Sequence, residues 1–425
     1  MRRSSLSTIT AGVLCTVLTA ALCVPSAGAE PAGTADPAGT AAPGWSGLDV
    51  TDGVPLPDEA GVAVDEVPLD PALGLSSAGT QQRFLYSTVD QHGQPAASTA
   101  ALFLPPGDAP DGGWPVLAWA HGTVGLGDTC TPSAQPRSDR DAGYLNHWLE
   151  QGYAVVASDY VGMGTPGLMS YLNGSVSALN VIDSVAAART LDSVDASAPG
   201  ASDAGSLLSP SWAVIGQSQG GGAALHVAHA ATRRSAEIDP ELDYRGAVAT
   251  GAPAYIEELV LAASPSFPPV VLPTGLNVYA AYILAGFREA HPEVDLDAAL
   301  SDEGRRIADL AETACYPEMS QAMDGVDLSD SFSTALRSVP GMQDALRGYM
   351  ATPTDGYDKP VFVGHGLLDI DVPSPIGVAL NSQLWLNQFA GSNEQVDVHW
   401  YPEDHSGAMV ASMADSTPYL ASLFS

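Results

Sequence analysis

The chain has 425 residues, of which 45% are hydrophobic, so it is long enough to bury a large core in one domain or two. Its 15 basic and 49 acidic residues give a net charge of −34. A surface with this charge repels nucleic acid and anionic membranes, so we expect no nucleic-acid partner.

The N-terminus has the features of a secretory signal peptide. Two arginines precede the apolar run ITAGVLCTVLTAALCV, and Ala27-Gly28-Ala29 resembles a cleavage site. A membrane anchor is the alternative, but the run is short for a bilayer span. We predict a signal peptide over residues 1–29 and a secreted protein. No second long apolar segment follows, so we expect no stable membrane insertion.

Residues 30–48 are predicted to form a linker, because the tetrapeptide PAGT occurs twice in a run rich in Pro, Ala and Gly.

From about Ala78 the sequence pattern changes to short apolar runs typical of strands and helices. QRFLYSTVD and ASTAALFLP predict a hairpin, and WPVLAWAHG and GYAVVASDYVGMG predict buried strands. SALNVIDSVAAARTL predicts a helix, SWAVIGQS a strand, GGAALHVAHAATR a helix and YRGAVATGAP a strand. Strands that alternate with helices indicate a mainly parallel sheet flanked by helices.

The alternation stops over residues 254–355, which read as helices and loops only. It resumes with the strand KPVFVGHG, the helix SPIGVALNSQLWLNQFA, the strand VDVHWYP and a final helix. A segment of this length is too long for an ordinary connection. We therefore predict an α/β core over residues 49–253 and 356–425, with residues 254–355 inserted as an all-helical cap.

Two cysteines, Cys130 and Cys315, remain once the signal peptide is removed. Export permits a disulfide, so we expect these two to form one, with two buried thiols as the alternative. Cys130 follows the strand WPVLAWAHG and Cys315 lies in the predicted cap, so this bond would tie the cap to the core.

Ser218 lies in the sequence Gly216-Gln217-Ser218-Gln219-Gly220, which matches G-x-S-x-G. A buried strand precedes it and a helix of small residues follows it, as a nucleophile elbow requires. The glycines let the strand and helix approach while the serine hydroxyl points out of the sheet edge. We predict that Ser218 is a catalytic nucleophile, with a plain glycine-rich turn as the alternative.

A serine nucleophile needs a histidine base and a carboxylate that orients it, in the order Ser, acid, His in this fold class. His405 follows the last strand, in YPEDHSGAM, and is the predicted base. Asp369 follows the preceding strand, four residues before Pro373, and is the predicted acid. Asp371, two residues later, is the alternative candidate for the acid.

The tetrahedral intermediate of acyl transfer needs two hydrogen-bond donors. One is the backbone N–H of Gln219, the residue after the nucleophile. The other is predicted in the loop His121-Gly122-Thr123, where we assign the N–H of Thr123.

Five other polar residues are predicted to have no catalytic role. His365 is expected to be a hydrogen-bonding loop residue, and Glu403 and Asp404 to be solvated loop charges. His226 and His229 lie one helical turn apart, but no third metal ligand is evident. No dinucleotide or phosphate motif occurs, so we expect no metal and no cofactor.

The segments AWAHGTVG, SALNVIDSVAAAR, VIGQSQGGGAAL, GHGLLDIDVP and YPEDHSG together resemble the secretory lipase family. The resemblance extends from about residue 78 to the end. It implies an α/β-hydrolase fold with a helical cap, and ester hydrolysis by Ser218, Asp369 and His405. It also places one cysteine after the oxyanion loop and one in the cap. Some members carry two disulfides, whereas this chain can form only one.

The sequence thus predicts a secreted lipase or carboxylesterase that acts on small-molecule or lipid esters, with access to a lipid–water interface. A serine peptidase or acyltransferase on the same fold is an alternative, because a triad does not choose the acyl acceptor. A catalytically silent binding protein is another. The natural substrate and oligomeric state stay open.

Overall fold

The computed structural model describes residues 48, 50, 54–195, 206–266 and 272–425. The predicted signal peptide, residues 1–29, lies outside the described residues, as does nearly all of the predicted linker, residues 30–48. The strands of the described residues are β1 Ala63–Pro68, β2 Thr80–Val89, β3 Pro95–Leu104, β4 Trp114–Ala120, β5 Ala154–Ser158, β6 Leu208–Gln217, β7 Asp243–Thr250, β8 Val361–Gly366 and β9 Val396–Tyr401. The α-helices are α1 Asp139–Glu150, α2 Gly174–Ala188, α3 Gln219–Ile238, α4 Ile256–Val260, α5 Thr274–Ala290, α6 Asp302–Ala311, α7 Tyr316–Met323, α8 Met342–Met350, α9 Ser374–Phe389 and α10 His405–Leu423.

These strands form one sheet in the order β1-β2-β3-β5-β4-β6-β7-β8-β9. The pairs β1–β2, β2–β3 and β3–β5 are antiparallel. Every pair from β5 to β9 is parallel. Because parallel strands end at the same edge, the loops after β4, β6, β7, β8 and β9 meet there.

Both faces of the sheet are covered, as the apolar strand sequences predict. Alternate strand residues enter two separate hydrophobic clusters: in β8, Val361 belongs to one and Phe362 to the other. The first cluster holds the buried sides of α2, α3, α9 and the helices after residue 254. The second holds the buried sides of α1 and α10. The helices α9 and α10 therefore pack on opposite faces.

Every strand and helix predicted from the sequence is present, and none of the described helices is long and apolar enough to cross a bilayer. Outside residues 254–355, the described residues contain two further elements that were not predicted, β1 and α1. Helix α1 begins after Ser138, whose hydroxyl accepts a hydrogen bond from the N–H of Asp141 at 3.2 Å. Its buried side chains, which include Tyr144, Leu145 and Trp148, have helical spacing. The capping serine and the helical spacing of apolar residues were therefore available in the sequence to predict α1. The edge strand β1 has no such pattern, because its buried and exposed residues do not alternate.

The described residues between 254 and 355 contain α4 to α8 and short 3₁₀ turns but no strand, as predicted. We call residues 254–355 the cap segment. Its helix α5 contributes buried residues to the same cluster as the sheet. The exact division into core and cap, at residues 253/254 and 355/356, stays a prediction.

The loop after β4 is bound to the cap segment by the predicted disulfide. Cys130 and Cys315 are joined, with their Cα atoms 5.4 Å apart. The N–H of Tyr316 also donates to the carbonyl of Val124 at 2.8 Å. A Cβ on Gly127 would lie only 2.1 Å from the carbonyl oxygen of Thr313, so the two backbones touch. The loop and the cap segment are thus held in one arrangement.

We predict that the double variant Cys130→Ser/Cys315→Ser is less stable to unfolding than the wild type. The sequence separation of 185 residues corresponds to up to about 5 kcal/mol in the chain-entropy model. Urea unfolding of both proteins measures the loss, and mass mapping of non-reduced peptides measures the bond. Two freely alkylatable thiols in the folded wild-type protein would contradict the prediction.

Candidate active site

Ser218 lies at the sharp turn between β6 and α3. Its backbone has φ 58° and ψ −123°, in a region that a residue with a side chain rarely adopts. Its N–H donates to the carbonyl of Thr250 at 2.9 Å, which fixes the turn to the end of β7. The serine therefore has the strained backbone that the sequence motif predicts for a nucleophile elbow.

The glycines around Ser218 are required because three backbone segments touch there. A Cβ on Gly216 would lie 2.1 Å from the carbonyl oxygen of Gly220. A Cβ on Gly220 would lie 1.8 Å from the carbonyl oxygen of Ala120, at the end of β4. Any side chain at these positions would push α3 away from β4 and β6.

His405 and Asp369 form a buried hydrogen-bonded pair. His405 is the first residue of α10, and Asp369 lies in the loop after β8. Nδ1 of His405 lies 2.6 Å from Oδ2 of Asp369. The other carboxylate oxygen accepts from the N–H groups of Asp371 and Val372, at 3.0 and 2.9 Å. These bonds orient the carboxylate toward the imidazole ring.

The imidazole of His405 is held against the residues that support Ser218. A Cβ on Gly251, which has φ +56°, would lie 2.8 Å from Cε1 of His405. The side-chain amide of Gln217 donates to the carbonyl of His405 at 3.4 Å. Nε2 of His405 is buried and has no hydrogen-bond partner among the described residues. No local signal in the sequence identifies Gly251 or this role of Gln217.

Asp371, the rival acid, contacts the cap segment. Its Oδ1 accepts a hydrogen bond from the hydroxyl of Tyr279, on α5, at 2.9 Å. Burial, and then the charge of Asp371, raises the pKa of Tyr279, so this hydroxyl keeps its proton. No signal in the sequence pairs these residues, which lie on separate elements. Asp371 thus links α5 to the loop after β8, which we call the acid loop because it holds Asp369.

The loop after β4 lies against the elbow. A Cβ on Gly122 would lie 3.7 Å from Cβ of Ser218. The loop is fixed from both sides: Tyr160 donates to the carbonyl of His121 at 3.2 Å, and the hydroxyls of Thr123 and Tyr171 lie 2.6 Å apart. Gln219 is the first residue of α3, where backbone N–H groups lack helical partners. The assignment of the Thr123 and Gln219 N–H groups as oxyanion donors stays a prediction.

His365 and Asp404, which the sequence predicts to be loop residues without a catalytic role, differ from that prediction in their structural position. His365 lies in β8 rather than in a loop, with Nε2 3.0 Å from the carbonyl of Val372, because its buried strand position directs it under the acid loop. Burial lowers its pKa. Asp404 caps α10 and accepts from the N–H of Gly407 at 2.7 Å, so it is a structural residue and not simply a solvated charge.

One group of described residues could offer three metal ligands: Asp369, Asp371 and His405, whose ligand atoms all lie within 4.8 Å of one another. These atoms already have partners in each other and in Tyr279, so the hydrogen bonds explain their arrangement. His226 belongs to no such group, and burial lowers its pKa to about 3.

A cavity of about 250 Å³ opens onto Ser218 and Gln219. Its wall is formed mainly by aliphatic and aromatic side chains of the cap segment, with others from the loop after β5, the loop after β8 and the start of α9. They include Tyr171, Leu259, Leu276, Tyr279, Ala280, Ile283, Leu284, Phe332, Val372 and Ile376. Residues 278–287, in α5, contribute four of the lining residues. Such a cavity suits an apolar group placed next to the serine.

Comparison with known proteins supports the resemblance predicted from the sequence. Residues 138–335 match the family model described as secretory lipase. This range holds Ser218 and Cys315, but not Asp369 or His405. No curated protein matches the chain at a significant level.

Several solved structures have a similar fold. Candida antarctica lipase A has a TM-score of 0.63 and 18% identity, over 81% of this chain and 78% of that chain. The rice cell wall degrading esterase LipA of Xanthomonas oryzae has a TM-score of 0.64 and 20% identity, over 84% and 98%. A putative hydrolase of Legionella pneumophila has a TM-score of 0.65 and 18% identity, over 85% and 98%.

These neighbours confirm the predicted α/β-hydrolase fold class, with its mostly parallel sheet flanked by helices. At 18–20% sequence identity, the similarity to these structures shows the fold alone. Taken with the secretory lipase match, they support the prediction that the chain is a carboxylic ester hydrolase.

We predict that Asp369→Asn lowers kcat/KM for a soluble ester by roughly 10³-fold or more, whereas Asp371→Asn costs less than about 10-fold. Only Asp369 bonds the ring of His405, and the backbone N–H that Asp371 gives to Asp369 is kept in its asparagine variant. Initial rates of the two purified variants decide between the carboxylates. A greater loss in Asp371→Asn would contradict this assignment.

Proposed function

We propose that this carboxylic ester hydrolase, similar to the secretory lipases, is a secreted serine esterase that works through an acyl-enzyme on Ser218. One observation carries the proposal. The buried bond between His405 Nδ1 and Asp369 leaves Nε2 of His405 buried and without a hydrogen-bond partner among the described residues. The ring packs against Gly251, which follows Thr250, the residue whose carbonyl accepts a hydrogen bond from the N–H of Ser218. An acceptor in this state is suited to take a proton from a serine hydroxyl.

In the first step the Oγ atom of Ser218 attacks the ester carbonyl carbon, and Nε2 of His405 accepts the hydroxyl proton. The imidazole then carries a positive charge, which the carboxylate of Asp369 stabilises through the bond to Nδ1. The same bond keeps the neutral ring in the tautomer with a free Nε2.

The carbonyl oxygen becomes an oxyanion, and we assign its two donors to the N–H groups of Gln219 and Thr123. When the intermediate collapses, His405 gives its proton to the leaving alcohol and the acyl group stays on Ser218. Water then attacks the acyl-enzyme as His405 takes its proton, and the acid leaves as Ser218 recovers its hydrogen. This sequence of steps uses no cofactor.

The apolar cavity supports an acyl chain as the group held beside Ser218. Its lining comes mainly from aliphatic side chains of α4, α5 and the loop after β8. Burial of methylene groups there would contribute about 0.8 kcal/mol each. The family match, which is to secretory lipases, and the disulfide between Cys130 and Cys315 support an exported protein.

We predict that Ser218→Ala lowers the rate of hydrolysis of p-nitrophenyl butyrate by roughly 10⁴-fold or more, because no nucleophile remains. Ser264→Ala, a serine that also lines the cavity, is the matched control and should retain near wild-type turnover. Circular dichroism checks that both variants are folded. Wild-type turnover in Ser218→Ala would overturn the proposal.

We predict that Ala280→Phe shifts the selectivity toward short acyl chains. Ala280 lines the cavity from α5, so a benzyl group there would fill space that a long chain needs. The ratio of kcat/KM for p-nitrophenyl decanoate over acetate should fall by about 10-fold or more. The acetate rate is the internal control. An unchanged ratio in a folded variant would place the acyl chain outside this cavity.

A further inference from the structure

Thr123 and Tyr171 are joined by a short hydrogen bond that the proposed reaction steps do not use. Their hydroxyl oxygens lie 2.6 Å apart, and neither hydroxyl has another hydrogen-bond partner among the described residues. Thr123 is in the loop after β4, where its N–H is a proposed oxyanion donor, and Tyr171 is in the loop after β5. Tyr171 also lines the cavity together with Ser218 and Gln219. The bond thus lies at the wall of the cavity onto which the proposed nucleophile opens.

Tyr171 is held in place by residues that take no part in the proposed chemistry. It is only 2% exposed. Its carbonyl accepts a hydrogen bond from the hydroxyl of Tyr349 at 2.8 Å, and its ring packs on that of Tyr282, with the ring centres 5.5 Å apart. The next residue, Leu172, has φ 61°, a conformation that is unfavourable for a bulky side chain. Strained backbone that the surrounding structure holds firmly is typical of functional sites, so Tyr171 is a candidate for a role in the reaction.

The chemistry of the two hydroxyls sets the direction of the bond between them. A phenol is more acidic than an aliphatic alcohol, and its oxygen is a weaker acceptor because a lone pair is shared with the ring. Tyr171 is therefore the donor and Oγ1 of Thr123 the acceptor. Burial raises the pKa of Tyr171, so the phenol keeps its proton. The hydroxyl hydrogen of Thr123 then has no acceptor among the described residues and is available to a ligand.

The hydroxyl of Thr123 is close enough to the N–H of the same residue to share an acceptor with it. Three bonds separate Oγ1 of a threonine from its backbone nitrogen, so both groups can donate to one oxygen atom. The loop brings Thr123 to the elbow, because a Cβ on the preceding Gly122 would lie 3.7 Å from Cβ of Ser218. His121 and Gly122 are buried, whereas Thr123 is partly exposed. Its side chain is thus free to meet a substrate.

We propose that the hydroxyl of Thr123 is a third hydrogen-bond donor to the oxyanion and that Tyr171 directs it there. This inference rests on the proposed acyl-enzyme reaction, which produces the oxyanion. When Ser218 attacks, the carbonyl oxygen gains a negative charge, and the O–H group of Thr123 donates to it without losing its proton. The phenol of Tyr171 donates to Oγ1 of Thr123, which polarises the threonine hydroxyl and strengthens its own donation. Thr123 is thereby a catalytic residue and Tyr171 a positioning residue.

The first test removes the threonine hydroxyl and keeps the backbone N–H. Thr123→Val should lower kcat on dissolved p-nitrophenyl butyrate by about 10²-fold, with KM within about 3-fold of the wild type, because the hydroxyl bonds most strongly to the oxyanion. Thr123→Ser, which restores a hydroxyl, should recover most of the lost rate. Circular dichroism checks that each variant is folded. Wild-type kcat in folded Thr123→Val would overturn the proposal.

The second test asks whether Tyr171 acts through Thr123. Tyr171→Phe keeps the ring and removes the donor, so kcat should fall by about 10-fold with little change in KM. The double variant Thr123→Val/Tyr171→Phe should be no slower than Thr123→Val alone, because no threonine hydroxyl is left to direct. Losses that multiply in the double variant would contradict the proposal. A greater loss in Tyr171→Phe than in Thr123→Val would do so too, since the phenol would then be the donor to the oxyanion.

A trifluoromethyl ketone separates stabilisation of the oxyanion from binding of the ester, because its adduct with a serine carries the same negatively charged oxygen. Its inhibition constant should rise in Thr123→Val by about the factor by which kcat/KM falls. An unchanged inhibition constant would mean that the hydroxyl does not contact the oxyanion, against the proposal.

Tyr282→Phe is the matched control for the loss of a buried phenol. Tyr282 lies on α5, and its hydroxyl donates to the carbonyl of Ala314 at 3.1 Å instead of to Thr123. Its kcat should stay within about 2-fold of the wild type. If Tyr282→Phe lost as much activity as Tyr171→Phe, the effect would be a general one of removing a buried hydroxyl, and the role given to Tyr171 would be wrong.

Failure of this inference is distinct from failure of the proposed function. If Ser218→Ala is inactive while Thr123→Val has the wild-type kcat, the acyl-enzyme stands and the role of the Thr123 hydroxyl is wrong. If Ser218→Ala keeps wild-type turnover, the acyl-enzyme and this inference are both wrong.

Discussion

The close contact of three backbone segments at the elbow constrains the rest of the site. The ends of β4 and β6 and the start of α3 approach so closely that Gly220 has no room for a Cβ beside the carbonyl of Ala120. This contact holds Ser218 at φ 58° and brings the loop after β4 against it. The position of the proposed nucleophile and of the proposed oxyanion donors thus depends on one set of glycines.

The cap segment is attached on two sides of the cavity. On one side, Cys315 is bonded to Cys130, in the loop after β4. On the other side, Tyr279 donates to Asp371, in the loop after β8. Because β6 and β7 lie between β4 and β8 in the sheet, these attachments lie on either side of β6, the strand that leads into Ser218. Any movement of the cap segment would therefore act on both the oxyanion loop and the acid loop.

The sequence predicts the elements and residues whose signals are local. The buried strand, glycine turn and small-residue helix identify Ser218, and the chain order after it leaves few candidates for Asp369 and His405. The packing of Gly251 on His405 and the bond between Tyr279 and Asp371 could not be predicted, because each joins residues far apart in sequence. Strand β1 was missed because its AVDEVP sequence has no clear pattern and it depends on pairing with β2.

Covalent labelling of the wild-type protein by a fluorophosphonate tests the central claim most directly, because this reagent reacts with an activated serine and mimics the tetrahedral intermediate. Peptide mapping after partial labelling should find the adduct on the peptide that contains Ser218, and ester hydrolysis should fall in proportion to the labelled fraction. An adduct on a different residue, or full activity in a protein that is fully labelled at Ser218, would contradict the account.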